Sequence, residues 1–189
     1  IDNVIIFAEN HDTNRINDFY PEFKNYKQML SVLMTLRGIP QIYYGSEIGM
    51  TGKKEVGDGD IRRDFPGGWP TDVQNAFKHE GRTPKQNQYF DFSKKLIRWR
   101  KTNLAVHFGK TLHYIPREDV YVYFRYTEEK RVMVVVNNNL ENQSLALSRY
   151  SEGIAGNTQA FDVISGKSFN LPAVLEVTGE TTLIFELSL

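Results

Sequence analysis

The 189 residues carry 23 Lys plus Arg against 23 Asp plus Glu, no cysteine, 40% hydrophobic and 13% aromatic residues. That length fits one domain or two small ones, and the balance excludes a disordered or low-complexity chain. Zero net charge excludes nucleic-acid or membrane-surface binding driven by overall charge, and the missing cysteines exclude disulfides, thiolate nucleophiles and Cys-ligated zinc.

The opening Ile1-Asp2-Asn3-Val4-Ile5-Ile6-Phe7 has neither an initiator Met nor the basic start of a signal peptide. It reads like the middle of a strand, so a piece of a longer protein is expected. Val4 to Ala8 is a nearly continuous apolar run, as in a parallel strand buried on both faces. Phe23, Tyr26, Met29, Leu30, Leu33 and Met34 then draw one apolar stripe on a helix ending at Arg37, before Gly38 and Pro40. A second short strand is predicted from Gln41 to Tyr44, which makes a βαβ unit. From Gly45 to Arg82 the chain is glycine-rich and aperiodic, far longer than a common loop and therefore a place to look for function. Thr83, Pro84 and Gln86 supply an N-cap, a first-turn proline and a capping-box partner for a helix running to about Thr102.

Beyond Asn103 the texture changes to short alternating segments. Val120, Val122, Phe124 and Tyr126 predict one face of a hairpin, answered across Glu128-Glu129-Lys130 by Val132, Val134 and Val136. Further strands are predicted at Thr111–Tyr114, Gln143–Leu147, Gln159–Asp162, Leu175–Val177 and Thr181–Leu187, a spacing that suggests an antiparallel sandwich. Asn137 to Asn139 reads as a solvated loop. The domain division follows: residues 1–105 α/β, residues 106–189 all-β. No apolar run reaches the ~20 residues of a membrane span.

The sharpest chemical cluster is Glu9-Asn10-His11-Asp12, directly after the first strand. Loops at the C-terminal ends of parallel strands line active sites, so a carboxylate and an imidazole belong there. A set of turn caps is the plain alternative. Trp69, Tyr43 and Tyr44 offer flat apolar rings, the two tyrosines reading as core and wall. Glu47 reads as a structural hydrogen-bonding group, and His79, His107 and His113 have no partner at metal-ligand spacing.

Phe7-Ala8-Glu9-Asn10-His11-Asp12 with Arg15 resembles the fourth signature region of the α-amylase family, glycoside hydrolase family 13. Gly38-Ile39-Pro40-Gln41-Ile42-Tyr43-Tyr44-Gly45-Ser46-Glu47 is similar to the same family's eighth barrel strand. Asp58 to Trp69 is similar to the following loop in the neopullulanase and cyclomaltodextrinase branch, and the final strands resemble the family's domain C. The resemblance implies the last two βα units of a TIM barrel followed by an antiparallel β-sandwich. It also implies that Asp12 is the third catalytic carboxylate, gripping the 2- and 3-hydroxyls of a distorted sugar, with His11 as a donor to the same ring. Asp58 and Arg62 then hold the neighbouring sugar, and Asn10 and Arg15 support the turn. The substrate implied is an α-glucan or maltooligosaccharide.

Retaining hydrolysis also needs a nucleophile and an acid about 5 to 5.5 Å apart, which the family draws from earlier strands. The chain alone is therefore expected to be inactive, with no cofactor or metal in this piece and calcium possible in the parent enzyme. Its expected partners are the rest of the catalytic barrel and, through the exposed barrel strands, a second copy; nucleic acid and a membrane span are not expected. The sandwich is expected to be the stable unit. Two other readings are a non-catalytic carbohydrate-binding or structural module and a metallophosphoesterase using Asn-His-Asp ligands. The compartment stays open, cytoplasmic or periplasmic or secreted in a bacterium.

Overall fold

A computed structural model describes residues 3–189. It opens with a parallel pair. Strand β1 (Ile5–Ile6) is followed by a one-turn helix α1 (Ile16–Phe19), the long helix α2 (Phe23–Thr35) and strand β2 (Ile39–Pro40). β1 and β2 pair in parallel, Ile5 beside Ile39 and Ile6 beside Pro40. The ladder uses the amides of Ile39 (to the Val4 carbonyl, 2.9 Å) and Gln41 (to the Ile6 carbonyl, 2.8 Å). Pro40, having no amide hydrogen, therefore costs the ladder nothing. Gly38 makes the approach possible: it sits at φ +115°, and a Cβ there would lie 2.8 Å from the Val4 carbonyl oxygen.

The second strand lies at residues 39–40 rather than 41–44, because Gln41 is the last residue to bond to β1 and the chain then turns into the loop. The first strand is not buried on both faces: Val4, Ile5 and Phe7 are each about half exposed. Its apolar composition is that of a strand with neighbours, and among the described residues β2 is its one sheet neighbour.

After a long loop containing the short helix α3 (Asp58–Ile61), helix α4 (Pro84–Thr102) begins at the expected cap. Gln86 N donates to Thr83 Oγ1 at 3.2 Å, and Thr83 N donates to Gln86 Oε1 at 2.8 Å. α4 lies along α2, where Tyr26 and Tyr89 rings meet at 4.7 Å and Tyr26 Oη shares a hydrogen bond with Ser93 Oγ at 2.7 Å. The buried Arg100 donates to the carbonyl of Met34 (2.6 Å), an acceptor in the last turn of α2, and to that of Gly38 (3.1 Å) just before β2. Helix α5 (Leu104–Phe108) follows at once, capped by Asn103, and runs across the 105/106 division.

The remaining elements are β3 (Lys110–His113), β4 (Val120–Tyr126), β5 (Arg131–Asn137), β6 (Gln143–Ala146), α6 (Ser151–Ile154), β7 (Gln159–Asp162), β8 (Lys167–Asn170), β9 (Val174–Val177) and β10 (Thr181–Ser188). Among the described residues they form a six-stranded antiparallel sheet, β3-β4-β5-β10-β7-β8, and a separate pair, β6-β9. One face of the large sheet, including Val122, Phe124, Met133, Val135 and Phe185, packs against Leu175 and Val177 of the small one. The other face, including Tyr123, Val132, Val134 and Ile184, packs in a single cluster with Tyr26, Leu30, Tyr89 and Leu96 of the two long helices.

That second core explains a register error in the sequence reading. Val122 pairs with Val135 and Phe124 with Met133, so Val132, Val134 and Val136 lie on the helix side, opposite Tyr121 and Tyr123. Both faces of the hairpin are buried, so both faces read as apolar, and a slip of one residue exchanges them. Asn137 is a further correction. It ends β5 fully buried, and its Nδ2 donates to the carbonyls of Glu141, Val177 and Thr178, each at 3.1 Å.

Candidate functional site

The turn after β1 and the loop around α3 meet at a connected group of charged side chains. Arg62 Nη2 donates to Asp12 Oδ1 at 3.0 Å and to Asp58 Oδ2 at 2.9 Å, and Arg62 Nε donates to the His11 carbonyl at 3.0 Å. His11 Nε2 lies 3.1 Å from Asp12 Oδ2. The carboxylate of Asp12 is thus held on both oxygens yet remains 58% exposed. Asn10 shapes the turn: its Oδ1 accepts from Asp12 N at 2.8 Å, and its own amide donates to Thr13 Oγ1 at 3.0 Å. All four residues expected to touch a ligand are therefore together, with Asn10 beneath them.

The α3 loop is pinned to the β1 turn by side chains that cap its amides. Asn14 accepts from Lys54 N and Asp18 accepts from Gly52 N, while Asp60, within α3, accepts from Lys53 N at 2.6 Å and ties the loop to itself. Gly52 is required by close approach, since a Cβ there would lie 2.5 Å from the Asp60 carbonyl oxygen. A hydrogen bond from Lys54, helped by the nearby Arg62 charge, holds the Asp58 carboxyl below its ordinary 3.8. Asp58 is consequently an acceptor at neutral pH and no proton donor. Arg62 Nε and Nη2 are engaged within the group, which leaves the partly exposed carboxylates of Asp12 and Asp58 facing solvent as acceptors.

Beneath the exposed group lies a buried ion pair. Arg15 is fully buried and donates through Nε to the Ile61 carbonyl (3.0 Å) and through Nη1 to the Tyr44 carbonyl (2.7 Å) and Glu9 Oε1 (3.3 Å). Tyr43 stacks over its guanidinium at 3.9 Å. Glu9, 3% exposed, also accepts from Ile16 N at 2.5 Å and from Ser46 Oγ. Glu9 is legible in the sequence only as part of the cluster, and Ser46, Lys54 and the Ile61 carbonyl are not legible there at all. Nothing in periodicity marks a backbone acceptor or a single buried carboxylate.

Tyr43 and Tyr44 line this support as wall residues, and Trp69 is 60% exposed with its Nε1 donating to Asp64 at 3.1 Å. Burial raises the Glu47 carboxyl above its ordinary 4.5, although the amides of Glu47 and Gly45 oppose the shift. A carboxyl raised on folding contributes stability below its unfolded value and loses it as pH rises through the folded value. Glu47→Gln is therefore expected to raise Tm at about pH 7, with the gain vanishing near pH 4, as read by scanning calorimetry.

Residues 2–139 match the family described as alpha amylase, catalytic domain, and residues 111–186 match the cyclo-malto-dextrinase C-terminal domain. The chain belongs to the α-amylase family. Cyclomaltodextrin glucanotransferase of Bacillus licheniformis is 29% identical over 185 residues, covering 92% of this chain and 23% of that protein. Alpha-amylase of Niallia circulans is 28% identical over 194 residues, covering 96% of this chain and 33% of that protein. The chain thus spans about a quarter to a third of the length of these relatives. In structure, alpha-amylase from Geobacillus thermoleovorans complexed with acarbose matches 100% of the chain and 39% of its own, with TM-score 0.76 and 21% identity. An Anoxybacillus alpha-amylase matches 98% of the chain and 38% of its own, with TM-score 0.77 and 22% identity. The fold is accordingly the end of an α-amylase-family barrel followed by its C-terminal sheet domain.

Proposed function

We propose that this chain is the C-terminal part of a retaining α-glucan enzyme of the amylase, neopullulanase or cyclomaltodextrinase type, residues 1–105 closing the barrel and 106–189 forming the C-terminal domain. The observation that carries this is the Asp12 carboxylate, exposed after the first strand and bonded to Arg62 and His11. In this reading Asp12 accepts hydrogen bonds from the 2- and 3-hydroxyls of the sugar being cleaved. Those bonds strengthen as positive charge grows on the ring, so they favour the transition state over bound substrate. His11 orients the same ring, Asp58 and Arg62 hold its neighbour, and Asn10 and Arg15 keep the turn in shape. The nucleophile and acid come from the preceding residues of the longer protein.

Two further features support the incompleteness. Val4, Ile5, Phe7 and Ile39 expose apolar surface on the parallel pair, and a cleft of about 590 Å³ runs beside β1 and α2, lined by Ile6, Phe7, Tyr20, Met29 and Val32 among others. Unpaired strand edges and uncovered apolar faces call for partner strands and helices. The metallophosphoesterase reading is not favoured: Asp12 is engaged by a guanidinium, and among the described residues no three His, Asp or Glu side chains gather as a metal would need. Purified 189-residue chain is expected to release no glucose or maltose from maltoheptaose, whereas the polypeptide that includes the preceding residues does. Turnover by the chain alone would contradict the proposal.

A further inference from the structure

We infer that Glu9 is a positioning residue, whose buried negative charge sets the placement of Asp12 and Arg62; this rests on the reading in which those side chains hold the sugar. Glu9 leaves β1 pointing into the protein and gathers the Ile16 amide, the Ser46 hydroxyl and the Arg15 guanidinium. A neutral side chain could satisfy the amide and the hydroxyl. The fully buried guanidinium, however, needs an anion beside it to stay where it is. Arg15 in turn joins three segments, bonding to Glu9 after β1, to Tyr44 after β2 and to Ile61 at the end of α3. Its own amide donates to the Gly52 carbonyl at 2.8 Å, fixing the start of the α3 loop as well.

Ile61 is the residue before Arg62, and Arg62 reaches back to the His11 carbonyl and to Asp12. The path from Glu9 through Arg15, Ile61 and Arg62 to Asp12 is therefore a closed circuit that begins and ends in the same turn. Its upper half, Asp12 and Arg62, is exposed to solvent, while its lower half, Glu9 and Arg15, is buried. Placement of the exposed half to the tolerance catalysis demands, where an error of about 1 Å costs on the order of a hundredfold, falls to the buried half.

The test uses the 189-residue chain labelled with ¹⁵N, reading the Arg62 Nε–H and Asp12 amide signals and their hydrogen exchange. In Glu9→Gln the Arg62 Nε–H is expected to exchange at least about tenfold faster and the Asp12 amide to shift, while the amides of β5 hold their positions. The double variant Glu9→Gln/Arg15→Met removes both charges, so its thermal midpoint is expected to return toward that of the wild type while the Arg62 signal stays unprotected. Should Glu9→Gln fail to fold, the double variant carries the same reading. Unchanged Arg62 and Asp12 signals in either variant would overturn the inference. So would recovery of the Arg62 signal together with stability in the double variant, or failure of that variant to fold, because the pair would then serve stability alone. Addition of maltoheptaose to the wild-type chain separates the two readings. If it leaves His11 and Asp12 unperturbed, the sugar assignment fails while the ligand-free Arg62 result still decides the role of Glu9.

Discussion

Asn in place of Asp12, in the polypeptide that carries this chain with its preceding residues, is expected to lower kcat on maltoheptaose by about 10²–10³-fold with KM changed only a few-fold. Asn preserves the shape of the side chain and an oxygen for Arg62, which now bonds the carboxylate at 3.0 Å. What it removes is the charge, whose bonds to the ring hydroxyls gain strength as the sugar becomes cationic. That gain is worth several kcal/mol, and each ~1.4 kcal/mol is a factor of ten in rate. A loss confined to KM would mean that Asp12 binds substrate and transition state alike. Steady-state kinetics of the two proteins distinguishes these outcomes.

Leu96→Ala is expected to cost about 2–5 kcal/mol, the range for truncating a buried leucine, out of a typical domain total of about 5–15 kcal/mol. Leu96 of α4 is fully buried in the cluster that also contains Tyr26 and Leu30 of α2 and Tyr123, Val134 and Ile184 of the large sheet. Polar contacts tie the same layers: Tyr123 Oη to Thr35 Oγ1 at 2.5 Å, and Trp99 Nε1 and Asn103 Nδ2 to Glu186 Oε1, each at 2.7 Å. The helices therefore complete the core of the sheet rather than resting on a unit that is already closed. Urea unfolding followed by circular dichroism and by tryptophan fluorescence should give coincident transitions in both proteins, with the midpoint lowered in the variant. A sheet signal that outlasts the helix signal would contradict a shared core.

The parts of this structure that were legible in the sequence are those where a local signal has a local cause. The capping box at Thr83 and Gln86 names its own helix start, and the spacing of Tyr26, Leu30, Leu33 and Met34 names the buried face of α2. β8 was missed because Lys-Ser-Phe-Asn at an edge carries a single apolar residue and no alternation. The register of the β4–β5 hairpin was misread because burial on both faces erases the contrast on which register is read. Asn137 looked like a loop residue because its three bonds go to carbonyls as distant as Val177 and Thr178, which spacing along the chain does not reveal.

The candidate site shows the same division. Asp12 and Arg62 were named from motifs, and their contact across 50 positions follows from the folding of the α3 loop over the β1 turn. The buried Glu9–Arg15 pair was half seen, since Arg15 was expected to support the turn while the group that neutralises it was not chosen. A carboxylate in a polar cluster gives no sign in sequence of whether it faces solvent or core. Its 3% exposure is a property of the strands and loops that close over it.

Sugar binding by the Asp12 cluster is tested by titrating the ¹⁵N-labelled 189-residue chain with maltoheptaose, following backbone amides and the Arg62 Nε–H. Joint, saturable shifts are expected at His11, Asp12, Asp58 and Arg62, weakened together in Asp12→Asn. No shifts at these residues, or saturable shifts confined to the C-terminal sheet domain, would contradict it.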